Sequence, residues 1–284
     1  MSKKVCCALI IYLLFIFAFI PNSAALEESG AKDGFLLLGQ NDLVGISFWI
    51  ATAAMLSSSI FFLIERSSVA PQWRTSMTIA TLITGVAFWH YMYMREHWIL
   101  TGESPIVYRY VDWFITVPLQ IVEFYFILAA VTVVTAMLFW RLLTASILML
   151  LFGFLGETGM IGGSALVWWL LGTVCWLYII YEIFRGEAAM LNKESKNEAG
   201  QMGFAALKWI VTIGWAIYPI GYLYGLEETT ILGVRITNTA YSLELINIIY
   251  NLADLVNKTA FGIAIWLAAK KDSEKIEERR SFMP

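Results

Sequence analysis

Charge is what this sequence has least of. Asp, Glu, Lys and Arg together make up 14% of the 284 residues, where a soluble domain carries about 25%. Apolar residues reach 59%, too many for so few charges to coat a surface facing water. An ordinary cytosolic enzyme and a disordered chain are both excluded. A net charge of −3 provides no basic face, so no nucleic-acid partner is expected. Cysteine is equally scarce: Cys6 and Cys7 lie at the extreme N-terminus and Cys175 stands alone in an apolar run. No disulfide framework or thiolate metal site can be built from them, and no metal is expected.

What the chain does have is long apolar runs. Lys3 and Lys4 precede a run from Val5 to Ile20, followed by Pro21 and the small residues Ser23, Ala24 and Ala25. That order predicts a cleavable signal peptide over 1–25, with an extracellular segment over 26–42. Seven longer runs follow at about 43–64, 75–98, 106–131, 134–156, 162–184, 203–224 and 241–269. Each is long enough to cross a hydrocarbon core about 30 Å thick. Backbone groups in lipid must be satisfied within the segment, so each is a helix. The expectation is an all-α bundle of seven transmembrane helices over 43–269 with a cytoplasmic tail over 270–284. The polar stretch 187–200 reads as a loop between the fifth and sixth spans. If the mature N-terminus is outside, the inner side holds twelve Lys and Arg, and the outer side only Lys32, Arg95 and Arg235. That asymmetry orients the bundle with its C-terminus in the cytoplasm.

Ionisable residues stand inside spans where lipid disfavours them. The third span carries Arg109, Asp112 and Glu123, the seventh Asp254 and Lys258, and the second His90. Asp112 and Thr116 are one turn apart. Glu123 lies eleven residues past Asp112, which returns it to within about 20° of the same face and about 16 Å along the helix. One stripe therefore holds two carboxylates with a hydroxyl between them, the layout of an internal proton path. Asp254 and Lys258 are four apart on one face. A lysine amine without water is readily neutral and nucleophilic, and condenses with an aldehyde to a Schiff base. Asp112 and Asp254 would balance the resulting cation, with Arg109 holding the carboxylates. The plainer alternative is a Lys258–Asp254 ion pair that only fixes packing. Flat side chains at Tyr110, Trp113, Trp169, Trp176, Trp215, Tyr218 and Tyr222 suit a slot for a conjugated polyene.

The run RYVDWFITVPLQIVEFYFIL (109–128), with NLADLVNKTAFG (251–262), GWAIYPIGY (214–222) and FWH (88–90), resembles the microbial (type 1) rhodopsins, and among them the proteorhodopsin group. The likeness covers about 30–284. It implies all-trans retinal held as a Schiff base on Lys258, with Asp112 as proton acceptor and counterion and Asp254 as second counterion. It makes Glu123 the proton donor, and Arg109, His90 and Thr116 associates of the counterions. Tyr110, Trp113, Met149, Trp215, Tyr218, Tyr222 and Asn257 would line the retinal pocket. The triplet Asp112, Thr116, Glu123 is that of outward proton pumps and not of the chloride or sodium pumps. Gln120 stands where glutamine marks blue absorbers and leucine green ones. Trp169 falls where carotenoid-binding relatives keep a glycine, so no antenna is expected. A ring-shaped homo-oligomer, pentamer or hexamer, is implied as well. The expected partners are the lipid bilayer and protons.

The expected function is thus a light-driven outward proton pump, probed against two alternatives: a slow-cycling photosensor that signals to a partner protein, and a retinal-free transporter. No enzyme activity is expected. Glu157 reads as a polar group at an interface, and Glu227 and Glu228 as residues of the outer connection between the last two spans.

Overall fold

The computed structural model describes residues 38–225, 228–231, 234–237 and 240–281. By contacts the chain divides into residues 1–40 and 41–284, and the fold described is that of the second unit. The signal-peptide expectation over 1–25 and all but the last five residues of the 26–42 segment lie outside the described residues.

Helix α1 (Leu43–Glu65) opens on Asp42, whose carboxylate accepts from the Gly45 amide at 2.8 Å, filling one of the amides a helix start leaves unpaired. Two short 3₁₀ turns lead to α2 (Arg74–Thr101), which stops at Gly102 with φ +68°. Glycine, having no Cβ, takes this left-handed closing conformation without steric penalty. Helix α3 (Ile106–Val131) carries Pro118 in its interior. Helix α4 (Ala136–Thr158) begins at the capping hydroxyl of Thr135 and ends at Gly159, φ +62°. Helix α5 is Ala165–Phe184. The stretch read as a loop contains a helix of its own, α6 (Glu187–Glu194), and α7 (Glu198–Trp209) starts five residues before the expected span. Then come a π-helical segment (Ile210–Gly214) and α8 (Ile217–Gly225).

Two further departures concern the C-terminal part. The all-α expectation meets a small antiparallel hairpin, β1 (Glu228–Ile231) with β2 (Val234–Thr237), Thr229 opposite Ile236. The expected tail continues the seventh span without a break, because α9 runs from Ala240 to Ser281. Its polar end, KKDSEKIEERRS, holds good helix formers and no Gly or Pro.

α1, α2, α3, α4 and α5 pack in sequence order; α9 closes the ring against α1, α2 and α7, and α7 also touches α3. The result is a seven-helix bundle with α7, the π segment and α8 forming one span. Among the described residues six helical stretches are long and apolar enough to cross a membrane; α2, 28 residues and so about 42 Å long, is the remaining helix of the bundle. Polarity is turned inward. Arg109, Asp112, Thr116, Gln120, Glu123, Asn251, Asp254 and Lys258 are buried, whereas Val111, Ile115, Met137, Trp140, Val174 and Ile213 face outward. A bundle that hides its charges and exposes its hydrocarbon is built for lipid; the chain is an integral membrane protein.

Candidate functional site

The buried charges converge from α2, α3 and α9. Lys258 Nζ lies 2.5 Å from Asp112 Oδ2 and 3.0 Å from Asp254 Oδ2. All three side chains are at most 2% exposed. The spacing of four between Asp254 and Lys258 aligns them on one face of α9, and α3 brings Asp112 from the other side.

The two carboxylates are held differently. Asp254 is saturated with donors: Tyr218 Oη reaches Oδ1 at 2.5 Å, and Tyr91 Oη (2.8 Å), Trp113 Nε1 (3.2 Å) and Lys258 Nζ reach Oδ2. Asp112 Oδ1 has no hydrogen-bond partner. Its neighbours are His90 Nδ1 at 3.6 Å and the Thr116 hydroxyl, which donates to the Asp112 carbonyl at 3.0 Å. The ring of His90 is bonded at 2.9 Å to the Val86 carbonyl, and the same Nδ1 lies 3.6 Å from Asp112 Oδ1, beyond hydrogen-bond distance.

Arg109 is close by but holds neither carboxylate. Its Nη2 donates to Asn247 Oδ1 at 2.9 Å and Asn251 Oδ1 at 2.8 Å. The aromatic donors already fill Asp254, so the arginine rests on amides and against the rings of Phe48 and Tyr250. Glu123 is fully buried and neither of its oxygens has a partner.

From Lys258 a cavity of about 790 Å³ of atom-free space, partly continuous with the outside, runs between α3, α4, α5, α8 and α9. All seven residues predicted for the pocket line it: Tyr110, Trp113, Met149, Trp215, Tyr218, Tyr222 and Asn257. So do Gln120, whose Nε2 donates to the Asn257 carbonyl at 3.4 Å, and Trp169, whose indole reaches across to the Pro219 carbonyl at 2.8 Å. Glu157 lines the cavity too.

The π segment shapes the wall. Trp215 N bonds Ile210 O at 3.2 Å, five residues back, and Tyr218 N bonds Trp215 O, the carbonyl that Pro219 has no amide to serve. Two carbonyls are thereby released from the helix ladder. Val211 O accepts from Trp176 Nε1 at 3.0 Å and Gly214 O from Asn257 Nδ2 at 3.0 Å.

Sequence reasoning missed Tyr91, Asn247, Asn251 and Tyr250. Asn251, three residues before Asp254, shares its face of α9 and was the most findable. For Tyr91 the only signal was its place beside His90.

Comparison with known proteins agrees with this geometry. A profile described as "Bacteriorhodopsin-like protein" matches residues 42–272. The chain belongs to this family. It is 46% identical to a blue-light absorbing proteorhodopsin of Gamma-proteobacterium Hot 75m4 over 89% of this chain and 96% of that one. It is equally 46% identical to a green-light absorbing proteorhodopsin of Gamma-proteobacterium EBAC31A08, over 83% and 90%. Among solved structures, the blue light-absorbing proteorhodopsin from Med12 superposes with a TM-score of 0.67 at 54% identity, covering 81% of this chain and all of that one.

Proposed function

We propose that the chain is a retinal-binding, light-driven pump that moves protons outward, with its N-terminus outside and its C-terminus in the cytoplasm. The observation that carries this reading is Lys258 Nζ, a dry amine placed between two carboxylates at one end of an aromatic-lined cavity. These residues fit an aldehyde-bearing polyene. Lys258 would hold its aldehyde carbon through Nζ, Trp113, Trp215 and Tyr218 would flank the chain, and Asp112 with Asp254 would balance the positive nitrogen. Retinal bound there supplies a light-driven isomerisation that alters the direction and basicity of that nitrogen.

The protein's part is to give each proton one way to go. Asp112 accepts the proton from Lys258 Nζ, because its Oδ1 is uncommitted whereas both oxygens of Asp254 are engaged by donors. Thr116 fixes the Asp112 side of α3. Glu123, about 16 Å along the same stripe, buried and beside the Ser76 hydroxyl of α2, holds a proton for the return step. Arg109, resting on Asn247 and Asn251, supplies positive charge on the outward side without bonding the acceptor. The asymmetry of Lys and Arg sets the direction: Glu123 faces the Lys-rich inner side. A slow photosensor draws no support from the relatives, and a donor poised at Glu123 favours turnover. Gln120, beside Asn257, places an amide dipole on the cavity wall and supports blue absorption. Trp169, bonded to Pro219, closes the wall where a second pigment would enter.

Purified protein mixed with all-trans retinal should develop a visible absorption band, and Lys258→Ala should leave a folded, colourless protein. A covalent visible adduct in that variant refutes the assignment.

A further inference from the structure

Glu123 is sealed in, with no exposed surface and no hydrogen-bond partner on either oxygen. A donor that empties in each cycle must be refilled from the inner side, so its cover has to open. That cover is α7. Phe204 meets Phe124 edge to face at 5.1 Å between ring centroids, and Gly200 lies against Val131 of α3. Gly203 sits so close to α9 that a Cβ there would come within 2.8 Å of the Ala268 Cβ. The two glycines let the α7 backbone settle onto α3 and α9. Because the π segment follows directly, α7 is a short lever whose far end is its start at Asn197.

One carboxylate fastens that start. Asp272, on α9 beyond the apolar span, is 6% exposed and takes no part in the site. Its Oδ1 accepts from Asn197 Nδ2 at 2.8 Å, and its Oδ2 from Trp73 Nε1 at 2.9 Å and Gln72 Nε2 at 3.2 Å. It therefore ties the turn before α2 and the start of α7 to α9. Asn197 works with both ends of its amide: the oxygen caps α7 by accepting from Gly200 N at 2.9 Å, while the nitrogen reaches Asp272. The residue before it, Lys196, is held at φ +53°, the one left-handed non-glycine among the described residues. The other tie at this end, Lys275 to Glu198, is solvent-exposed and correspondingly weak.

We propose that the Asp272–Asn197 hydrogen bond is the latch that keeps α7 closed over Glu123, which makes Asp272 a positioning residue for the refilling of Glu123. Its consequence for transport rests on the proton-pump reading, but the latch itself exists in the dark and is measurable there.

Asn197→Ser separates the two jobs of the side chain, since serine caps a helix well but cannot reach Asp272 with a nitrogen donor. Asp272→Ala removes the acceptor, and Asp272→Glu restores a carboxylate. In retinal-loaded protein kept dark, hydrogen–deuterium exchange of the amides in 198–209 should quicken at least fivefold in Asn197→Ser and Asp272→Ala. It should return toward the original rate in Asp272→Glu. After a flash, a pH-indicating dye should report proton uptake at least threefold faster in the first two variants, with the absorption maximum unmoved. A bond that only stabilises would lower the thermal midpoint and leave uptake time alone. Unchanged exchange in both variants, or quickened exchange with unchanged uptake, overturns the proposal. Absence of light-driven uptake in the unsubstituted protein would instead overturn the pump reading, and the dark exchange comparison would still judge the latch.

Discussion

Asp112 and Asp254 share one ammonium but not one environment, and the roles proposed for them rest on that difference. The acceptor must have an oxygen to spare, and only Asp112 Oδ1 has none of the Tyr and Trp donors that crowd Asp254. Asp112→Asn should shift absorption to the red, because removing the negative charge beside the nitrogen narrows the excitation gap. It should also abolish transport. The same sign governs pH: acidification protonates Asp112 and should redden the pigment, and alkali should reverse it. His90→Asn should move the midpoint of that transition, since His90 Nδ1 lies 3.6 Å from Asp112 Oδ1; a midpoint that stays in place in an absorbance titration would contradict that role. Glu123→Gln should keep colour and first transfer but slow the return of the proton to Lys258 Nζ by about 10²-fold, the scale of a lost general acid. Azide should restore the rate in flash spectroscopy. Gln120→Leu should red-shift the dark band with transport direction intact. The charged ones among these residues were legible because a charge within an apolar run is costly unless it is paired or has a task. Tyr91, Asn247 and Asn251 were not, because a hydroxyl or amide in a span is common and nothing in the sequence says which face it occupies.

At the scale of elements, the wall of the site is made by an irregularity. A regular helix through 198–225 would keep the Gly214 carbonyl for its own ladder; the π segment and Pro219 release it to Asn257. Asn257 also donates to Tyr218 Oη at 3.2 Å, so one side chain fastens α9 both to the π segment and to a donor of Asp254. Asn257→Ala should therefore leave a buried carbonyl unpaired and cost about 1–3 kcal/mol. A lower thermal midpoint of the retinal-free protein checks this; an unchanged midpoint would mean that the π segment stands without the amide. The spans themselves were readable from run length and from Gly and Pro, and all but four of their fourteen ends lie within two residues of the expected bounds. The polar elements were not. α6 and the last turns of α9 lack an apolar period, so only their surroundings and helix-forming composition make them helical. The β1–β2 hairpin is a local pairing in a connection whose length alone gave no hint of strands.

Over the whole molecule the polarity of a soluble protein is reversed, and this was the most legible property of all. Fourteen per cent charge cannot cover a surface in water, so the few charges within the spans had to be gathered inside, along one line from the outer side to the inner. The line has a direction only if the bundle does, and the twelve-to-three excess of Lys and Arg is the basis of the orientation proposed for it. Suspensions of intact cells expressing the chain and supplied with retinal test the whole account at once, through the pH of an unbuffered medium under illumination. The account predicts that the medium acidifies in the light and recovers in the dark, and that a protonophore or Asp112→Asn abolishes the change. A medium that stays constant, or one that turns alkaline by a route the protonophore blocks, would contradict it.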